Sequence, residues 1–248
     1  MTEYAKAAKY VDLDKIYSEC SGPGGLQLAE FIADKMTLSA HMRVLDIGTS
    51  SGYQTCFLAR EYGAFVVGID DGRGAVERLW RNARSWGVQD RVLAVRASVP
   101  DTGFPDESFD AAYCTTTLEM IRGFSGEAKY RECLSEVYRV LKPGSVFGCG
   151  EPMHLDVGIP DDLAPLVTHE AACWADCFVT VERTVESFHT VGFEVLDAGY
   201  AADARRWWEE YARYDPGCRQ NPDGDPEAIR VDSGRWLSFG YVIARRPL

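Results

Sequence analysis

The spacing of apolar positions changes several times along the chain, and the changes mark its elements. Val44, Leu45 and Ile47 form a short apolar run that stops at Gly48-Thr49-Ser50-Ser51-Gly52, and helical spacing then runs from Tyr53 through Phe57, Leu58 and Glu61. Val66, Val67, Gly68 and Ile69 read as a second buried strand that ends on Asp70. Strand, glycine-bearing turn, helix and strand make one βαβ unit, and the closing acid stands where ribose hydroxyls are met in nucleotide folds.

The alternation continues. The pattern predicts a helix from Gly74 to about Trp86 with Gly87 as C-cap, a third strand over 91–96 and a fourth over 111–114. A helix over 130–141, closed by Lys142-Pro143-Gly144, leads to a fifth strand over 146–149. Residues 180–190 read as a helix, 192–196 as a strand, and 236–245 as a last strand of alternating aromatic and small residues that pairs with it. Three stretches lie outside this rhythm. Residues 1–38 look helical, broken at Ser21-Gly22-Pro23-Gly24-Gly25; residues 151–178 are irregular; residues 201–234 form an insertion with Trp207, Trp208, Tyr211 and Tyr214 at helical spacing.

With 248 residues, 46% hydrophobic and 12% aromatic, the chain buries a substantial core and reads as a single domain over 1–248 with its core at 39–150. A net charge of -12, from 26 basic and 38 acidic residues, argues against nucleic acid as a partner. No leader and no 18-residue apolar run is found, so a cytoplasmic protein without a membrane span is expected. Cys173 and Cys177 are the close pair among eight scattered cysteines, with His169 four residues ahead; no metal is expected there.

The turn carries the chemistry. Gly48 and Gly52 let the backbone approach a ligand closely. Asp46, ahead of the first glycine, would repel a pyrophosphate and suits a cationic ligand. Asp46-Ile47-Gly48-Thr49-Ser50-Ser51-Gly52 resembles the first motif, D-x-G-x-G-x-G, of class I S-adenosylmethionine-dependent methyltransferases, with Ser50 at the middle glycine and Asp70 at the second acidic position. Phe104-Pro105-Asp106-Glu107-Ser108-Phe109-Asp110 resembles the family's linker before strand four. The stretch 134–144 is similar to the signature before strand five in the ubiquinone/menaquinone-biosynthesis group and its amine- and sterol-methylating relatives. Residues 17–25 are similar to the segment ahead of the cofactor turn in phosphoethanolamine and related amine N-methyltransferases.

This resemblance, over roughly 43–150, implies an α/β fold: a Rossmann-like, doubly wound, mostly parallel seven-stranded sheet with an antiparallel terminal strand. It adds an N-terminal helical lid over 1–38 and a C-terminal cap insertion. The implied cofactor is S-adenosyl-L-methionine (SAM), held by Asp46, Gly48, Ser50, Gly52 and Asp70, with Ser98, Val99 and Thr115 beside it; Ser98 replaces an aspartate that often meets the adenine amine.

Open parallel sheets bind ligands at strand C-terminal ends, which places Thr115-Thr116-Thr117 and Glu119 towards cofactor or acceptor. The N-P-P-Y and D-P-P-Y sequences of base- and amide-directed methyltransferases are absent here, so a small-molecule acceptor is expected. Where the acceptor arrives protonated, a base is needed, and the catalytic candidates are His154, past strand five, and Glu119, with Glu151 and the N-terminal tyrosines behind them. The histidine that amine methyltransferases carry after strand four corresponds to Met120. A small amine is the preferred acceptor, from the N-terminal resemblance and an aromatic cap able to hold a cation, with Tyr10, Tyr17, Trp207 and Tyr211 as its contacts. Residues 151–178 and 201–234 would shape its pocket. C- or O-methylation of a quinone, sterol or other natural product is the alternative. Two further classes stand beside these: a non-catalytic SAM-binding domain, and a nicotinamide-dependent reductase suggested by Tyr138-x-x-x-Lys142. A homodimer is left open.

Overall fold

The computed structural model describes residues 4–168 and 173–248. After a short turn of 3-10 helix, α1 (Leu13–Glu19) is capped by Asp12, whose side chain accepts from Lys15 N, and α2 (Gly25–Lys35) follows the glycine break. The sheet is then laid down by β1 (Arg43–Ile47), α3 (Tyr53–Tyr62), β2 (Phe65–Asp70), α4 (Ala75–Trp86), β3 (Val92–Arg96) and β4 (Phe109–Thr115). Next come α5 (Leu118–Val140), β5 (Leu141–His154), α6 (Ala164–Val167), α7 (Trp174–Cys177), α8 (Val181–Val191) and β6 (Glu194–Tyr200). The chain ends with α9 (Ala204–Tyr214), α10 (Pro216–Gln220), α11 (Asp225–Asp232) and β7 (Leu237–Arg245).

Seven strands lie in the order β3-β2-β1-β4-β5-β7-β6, and β7 runs antiparallel to both its neighbours. That is the doubly wound sheet expected, with the order reversing beside β1 and β4. Alternate strand residues enter two different cores. Val44, Val66 and Tyr113 pack with Leu28 of α2, Phe57 of α3 and Leu79 of α4. Leu45, Val67 and Ala112 pack with Leu134 and Val137 of α5 and Phe188 of α8. Burial on both faces is why these strands read as unbroken apolar runs. A third, smaller core of Leu163, Phe178, Trp208, Ile229 and Trp236 lies under the two insertions.

Two elements differ from the expected boundaries. The helix before strand five starts at Leu118 rather than near Tyr130, and Gly126 (φ 83°, ψ 170°) interrupts its helical backbone. Strand five takes in Lys142-Pro143-Gly144, because Leu141 pairs with Phe109 and, after a register shift, Val146 with Ala111. It also runs on to His154, since 146–154 pairs continuously with β7. Glu151 and His154 therefore sit in the strand, not beyond it.

The N-terminal segment is tied down on the helical layer. Glu30 accepts from the backbone N–H groups of Lys6 and Ala7 at 2.6–3.1 Å, and the Tyr4 and Tyr17 hydroxyls donate to Asp203 and Glu210, at the start of and within α9. Among the described residues no helix is long and apolar enough to cross a membrane.

Candidate cofactor and acceptor site

The β1–α3 turn is wound tightly, with Gly48 (φ +74°), Ser50 (φ +51°) and Gly52 (φ +75°) all in the left-handed region. Gly48 and Thr49 donate their N–H groups to Ile69 O at 2.9 and 3.1 Å, which fastens the turn to the end of β2. A Cβ at Gly48 would overlap Thr117 Oγ1 and lie 2.5 Å from its Cγ2. The turn thus faces the start of α5 across a gap only glycine permits.

Two clefts flank Gly48. The larger, about 330 Å³, is walled by Asp70, Asp71, Ser98, Val99, Thr117 and Ile121. The narrower is walled by Glu19, Asp46, Ser50, Tyr53, Gln54 and Thr115. Asp70 Oδ2 accepts from Ser50 N at 2.8 Å and Oδ1 from Gly72 N at 2.7 Å, so its position is fixed while an ionised carboxylate keeps further acceptor capacity for hydroxyls. Asp46 is buried and accepts from the Thr55 hydroxyl; burial, with a smaller push from Asp70, raises its pKa to about 6. Thr115 donates to Gln54 Oε1 at 2.7 Å and so joins β4 to α3.

These residues fit the expected cofactor: two acids for a cationic ligand with hydroxyls, and a turn that leaves no room for a Cβ. Asp46, Gly48, Ser50, Asp70, Ser98, Val99 and Thr115 all line one cleft or the other. Gly52 lines neither. It heads α3, where a Cβ would overlap Leu79 Cδ1, so its role is the close packing of α3 on α4.

A cavity of about 850 Å³ opens on the other side of the 115–117 strand end. Its walls include Ser21, Thr116, Glu119, Trp174, Phe178 and Trp208, with Tyr211, Asp223 and Asp225 at the side formed by the C-terminal insertion. Ser21 and Thr116 also line the narrow cleft, so these two residues are the partition between that cleft and the cavity. Thr116 Oγ1 donates to Ser21 O at 3.0 Å, Ser51 Oγ donates to Glu19 O at 2.7 Å, and Ser21 Oγ lies 3.3 Å from Ser50 Oγ. The segment after α1 is thereby held over the turn. Glu119 is 2% exposed, and its Oε2 has no hydrogen-bond partner among the described residues. Burial first, and then the nearby Glu151, push its carboxyl well above the ordinary range.

Of the other residues expected at the site, Tyr211 reaches the cavity; four do not. His154 stacks on Trp236 at 5.0 Å, with Nδ1 bound 2.7 Å from Leu155 O, and lines neither cleft nor cavity. Tyr10 stacks on Trp86 and donates to Glu61. Tyr17 is buried between lid and cap, stacked on Tyr214 at 6.2 Å. Trp207 is fully buried, its Nε1 donating to Gln27 Oε1, and it is the adjacent Trp208 that faces the cavity. The reductase pair is not assembled either: Tyr138 packs edge-on to Phe193 while Lys142 pairs with Asp110 at the opposite, N-terminal side of β4. Cys173 and Cys177 both line the cavity, and His169 lies outside the described residues. Residues not foreseen are Ser21, Trp174 and Phe178; the glycine-proline break after α1 was the available signal for the first, while isolated aromatics in an irregular stretch gave none for the others.

A family model described as a methyltransferase domain matches residues 45–149, the span from β1 to β5 that carries the turn and both clefts. Sterol 24-C-methyltransferase erg6 of Aspergillus fumigatus is 29% identical over 184 residues, which are 72% of this chain and 47% of that protein. The chain thus spans about half the length of the curated relatives it matches. Phosphoethanolamine N-methyltransferase 2 of Haemonchus contortus, solved with S-adenosyl-L-methionine, is similar in structure with a TM-score of 0.75 and 16% identity over 100% of this chain and 61% of its own. The cyclase SpnF is similar with a TM-score of 0.71 and 23% identity, over 90% of this chain and 82% of its own. The matched span, the sheet order and the three motifs in sequence identify residues 45–149 as a class I S-adenosylmethionine-dependent methyltransferase domain.

Proposed function

We propose that the chain transfers a methyl group from SAM to a carbon of a bulky, mainly apolar natural product. The observation that carries this is the partition formed by Ser21 and Thr116, which are walls of both the cofactor cleft and the 850 Å³ cavity. A methyl donor on one side and an acceptor on the other would meet at these two residues.

Bound there, the cofactor supplies a methyl carbon already activated on a sulfonium. The chain's part is to hold and align. Asp70 would accept the ribose hydroxyls, Ser98 and Val99 would line the adenine side, and Asp46, Ser50 and Thr115 would bound the amino-acid side. Alignment across a fixed partition supplies much of the rate without covalent help from a side chain. A cavity of this size exceeds what a small amine fills, and Trp174, Phe178 and Trp208 give it an aromatic lining suited to an apolar skeleton. Methylation of an alkene leaves positive charge on the acceptor, which aromatic faces stabilise. A proton must then leave, and Glu119 is the titratable side chain of the cavity wall nearest in sequence to the partition, so it takes the catalytic role first expected of His154.

The sterol-methylating relatives favour carbon over the amine nitrogen that the N-terminal resemblance suggests. The test is methyl-labelled SAM offered with unsaturated sterol and isoprenoid acceptors and with primary and secondary amines. Label recovered in a new carbon–carbon bond supports the reading. Label on nitrogen alone overturns the choice of acceptor, and SAM binding without transfer to any acceptor returns the chain to a non-catalytic SAM-binding role.

A further inference from the structure

Behind Glu119 lies a second carboxyl that methyl transfer leaves without a task. Glu151 on β5 has no exposure; burial raises its carboxyl, and Arg122 and the Tyr130 hydroxyl oppose that push. The Tyr130 hydroxyl lies 3.3 and 3.2 Å from its two oxygens, and Arg122 Nη1 stands 3.5 Å from Oε2. Arg122 itself lies over the Tyr130 ring at 3.5 Å and gives its Nε to Glu127 at 3.0 Å. The buried guanidinium is therefore engaged with two carboxylates, neither of them Glu119.

Among the described residues, what faces Glu119 offers a charge little help. From β5 there is Glu151 and the Cys149 thiol, from β4 the Cys114 thiol, and from α7 the Cys177 thiol, all three thiols kept protonated by burial. Asp223 and Asp225 line the same cavity and add further carboxyl groups. The backbone at 117 and 119 and Arg122 favour ionisation, and burial together with Glu151 outweighs them. A second negative charge placed at an unpartnered Oε2 in this setting would be costly.

We propose that Glu119 is a neutral carboxylic acid in the empty cavity and gives up its proton to solvent when a sulfonium-bearing cofactor binds across the Thr116 partition. Cofactor binding would thus create the carboxylate that later receives the acceptor's proton. This rests on the methyl-transfer reading above. In the transfer, the acceptor's π pair forms the new carbon–carbon bond and the carbon–sulfur pair stays on sulfur. A carbon–hydrogen pair restores the double bond, and its proton passes to Glu119. A sulfonium and a carboxylate enter the step, a thioether and a carboxylic acid leave it, and the charges balance. Glu119 is then back in the state it holds in the empty site, with no separate step to reset it.

The experiment is calorimetric titration with SAM and with S-adenosylhomocysteine, its neutral thioether product, each in two buffers of different ionisation enthalpy near neutral pH. The expected result is close to one more proton released with SAM than with the thioether, an excess that Glu119→Gln removes. In the wild-type protein alone, SAM affinity relative to the thioether should rise with pH by up to about tenfold per unit, because binding that releases a proton is favoured as protons become scarce. Equal proton release for both ligands, or an affinity ratio independent of pH, overturns the inference and leaves methyl transfer standing. Failure of both ligands to bind overturns the methyl-transfer reading and this one with it.

Discussion

Replacing Gly48 by alanine probes the geometry of the cofactor turn directly. At φ +74° the new residue takes up a left-handed backbone, which costs about 1–2 kcal/mol. Its Cβ would overlap Thr117 Oγ1, 2.5 Å from Cγ2 and 2.8 Å from Cβ, and overpacking of this kind costs about 1–3 kcal/mol. The sum is about 2–5 kcal/mol, and for a chain of this size each kcal/mol lowers Tm by about 2–4 °C. Thr117→Ala removes the two nearest atoms but also the 3.0 Å bond from Thr117 Oγ1 to Thr115 O, at about 1 kcal/mol. The double variant should recover part of the overlap cost and none of the backbone cost, which is a coupling of about 1–2 kcal/mol. Denaturant and thermal unfolding of the four proteins measures it, with SAM titrations alongside. Because Thr117 also walls the 330 Å³ cleft, SAM affinity should fall in Gly48→Ala and partly return in the double variant. A Tm within about 1 °C of wild type for Gly48→Ala, or simple additivity in the double variant, would refute the reasoning.

Asp70→Ala should weaken SAM binding by about 1–3 kcal/mol through loss of charge-assisted hydrogen bonds, and unchanged affinity by calorimetry would take Asp70 out of the site. Asp46 holds a carboxyl raised to about 6, so its contribution to stability is fully present below its unfolded pKa near 4 and is lost as pH rises through 6. Asp46→Asn, which keeps an oxygen for the Thr55 hydroxyl, should accordingly gain on wild type between pH 4 and 6.5 by up to about 3 kcal/mol; parallel unfolding curves that keep a constant separation across that window would contradict the assignment. Trp208→Ala should leave SAM affinity within about twofold and raise the KM for an apolar acceptor, at a stability cost of about 3–5 kcal/mol for removing a large buried ring; a loss of SAM affinity as large as the loss of acceptor affinity would count against separate sites.

The residues around the two clefts were legible in the sequence because the strand pattern and the candidate acids fall at the same positions. Asp46 and Asp70 end or nearly end strands buried on both faces, so the pattern that locates the strands also locates the acids. Other positions escaped for identifiable reasons. The first half of α5 is hidden by Gly123 and Gly126, which look like helix breakers. Yet Gly123 stays helical and is small because α7 comes against it, a Cβ there lying 3.2 Å from Cys177 Cα. Helical spacing grouped Trp207, Trp208 and Tyr211, but spacing cannot say which of two adjacent tryptophans faces a cavity and which a core. Position along β5 put His154 at the ligand edge in depth, and stacking on Trp236, 82 residues away in the chain, turns it to another use. Tyr10 and Tyr17 are contacts between the lid and its neighbours, information that exists only once the segments have folded together.

The two sides of the site are built from different parts of the chain, and this explains why single residues were readable on one and only whole stretches, 151–178 and 201–234, on the other. The family's span, 45–149, contributes most of both clefts and, at the cavity, chiefly Thr116, Glu119 and Met120. The remaining cavity walls come from 21–23, from 152–178 and from 208–225, stretches with a small core of their own centred on Trp208 and Trp236. Repacking those stretches would therefore reshape the cavity without disturbing the turn between β1 and α3. The link between the halves is narrow: Tyr17 hydrogen-bonds Glu210 of α9, and four residues later Ser21 forms the partition with Thr116. The N-terminal segment that carries Ser21 is anchored to the helix that carries Trp208, so the position of the partition depends on how the 850 Å³ cavity is packed. On the methyl-transfer proposal, selectivity for the acceptor and alignment of the methyl group would be set by the same contacts.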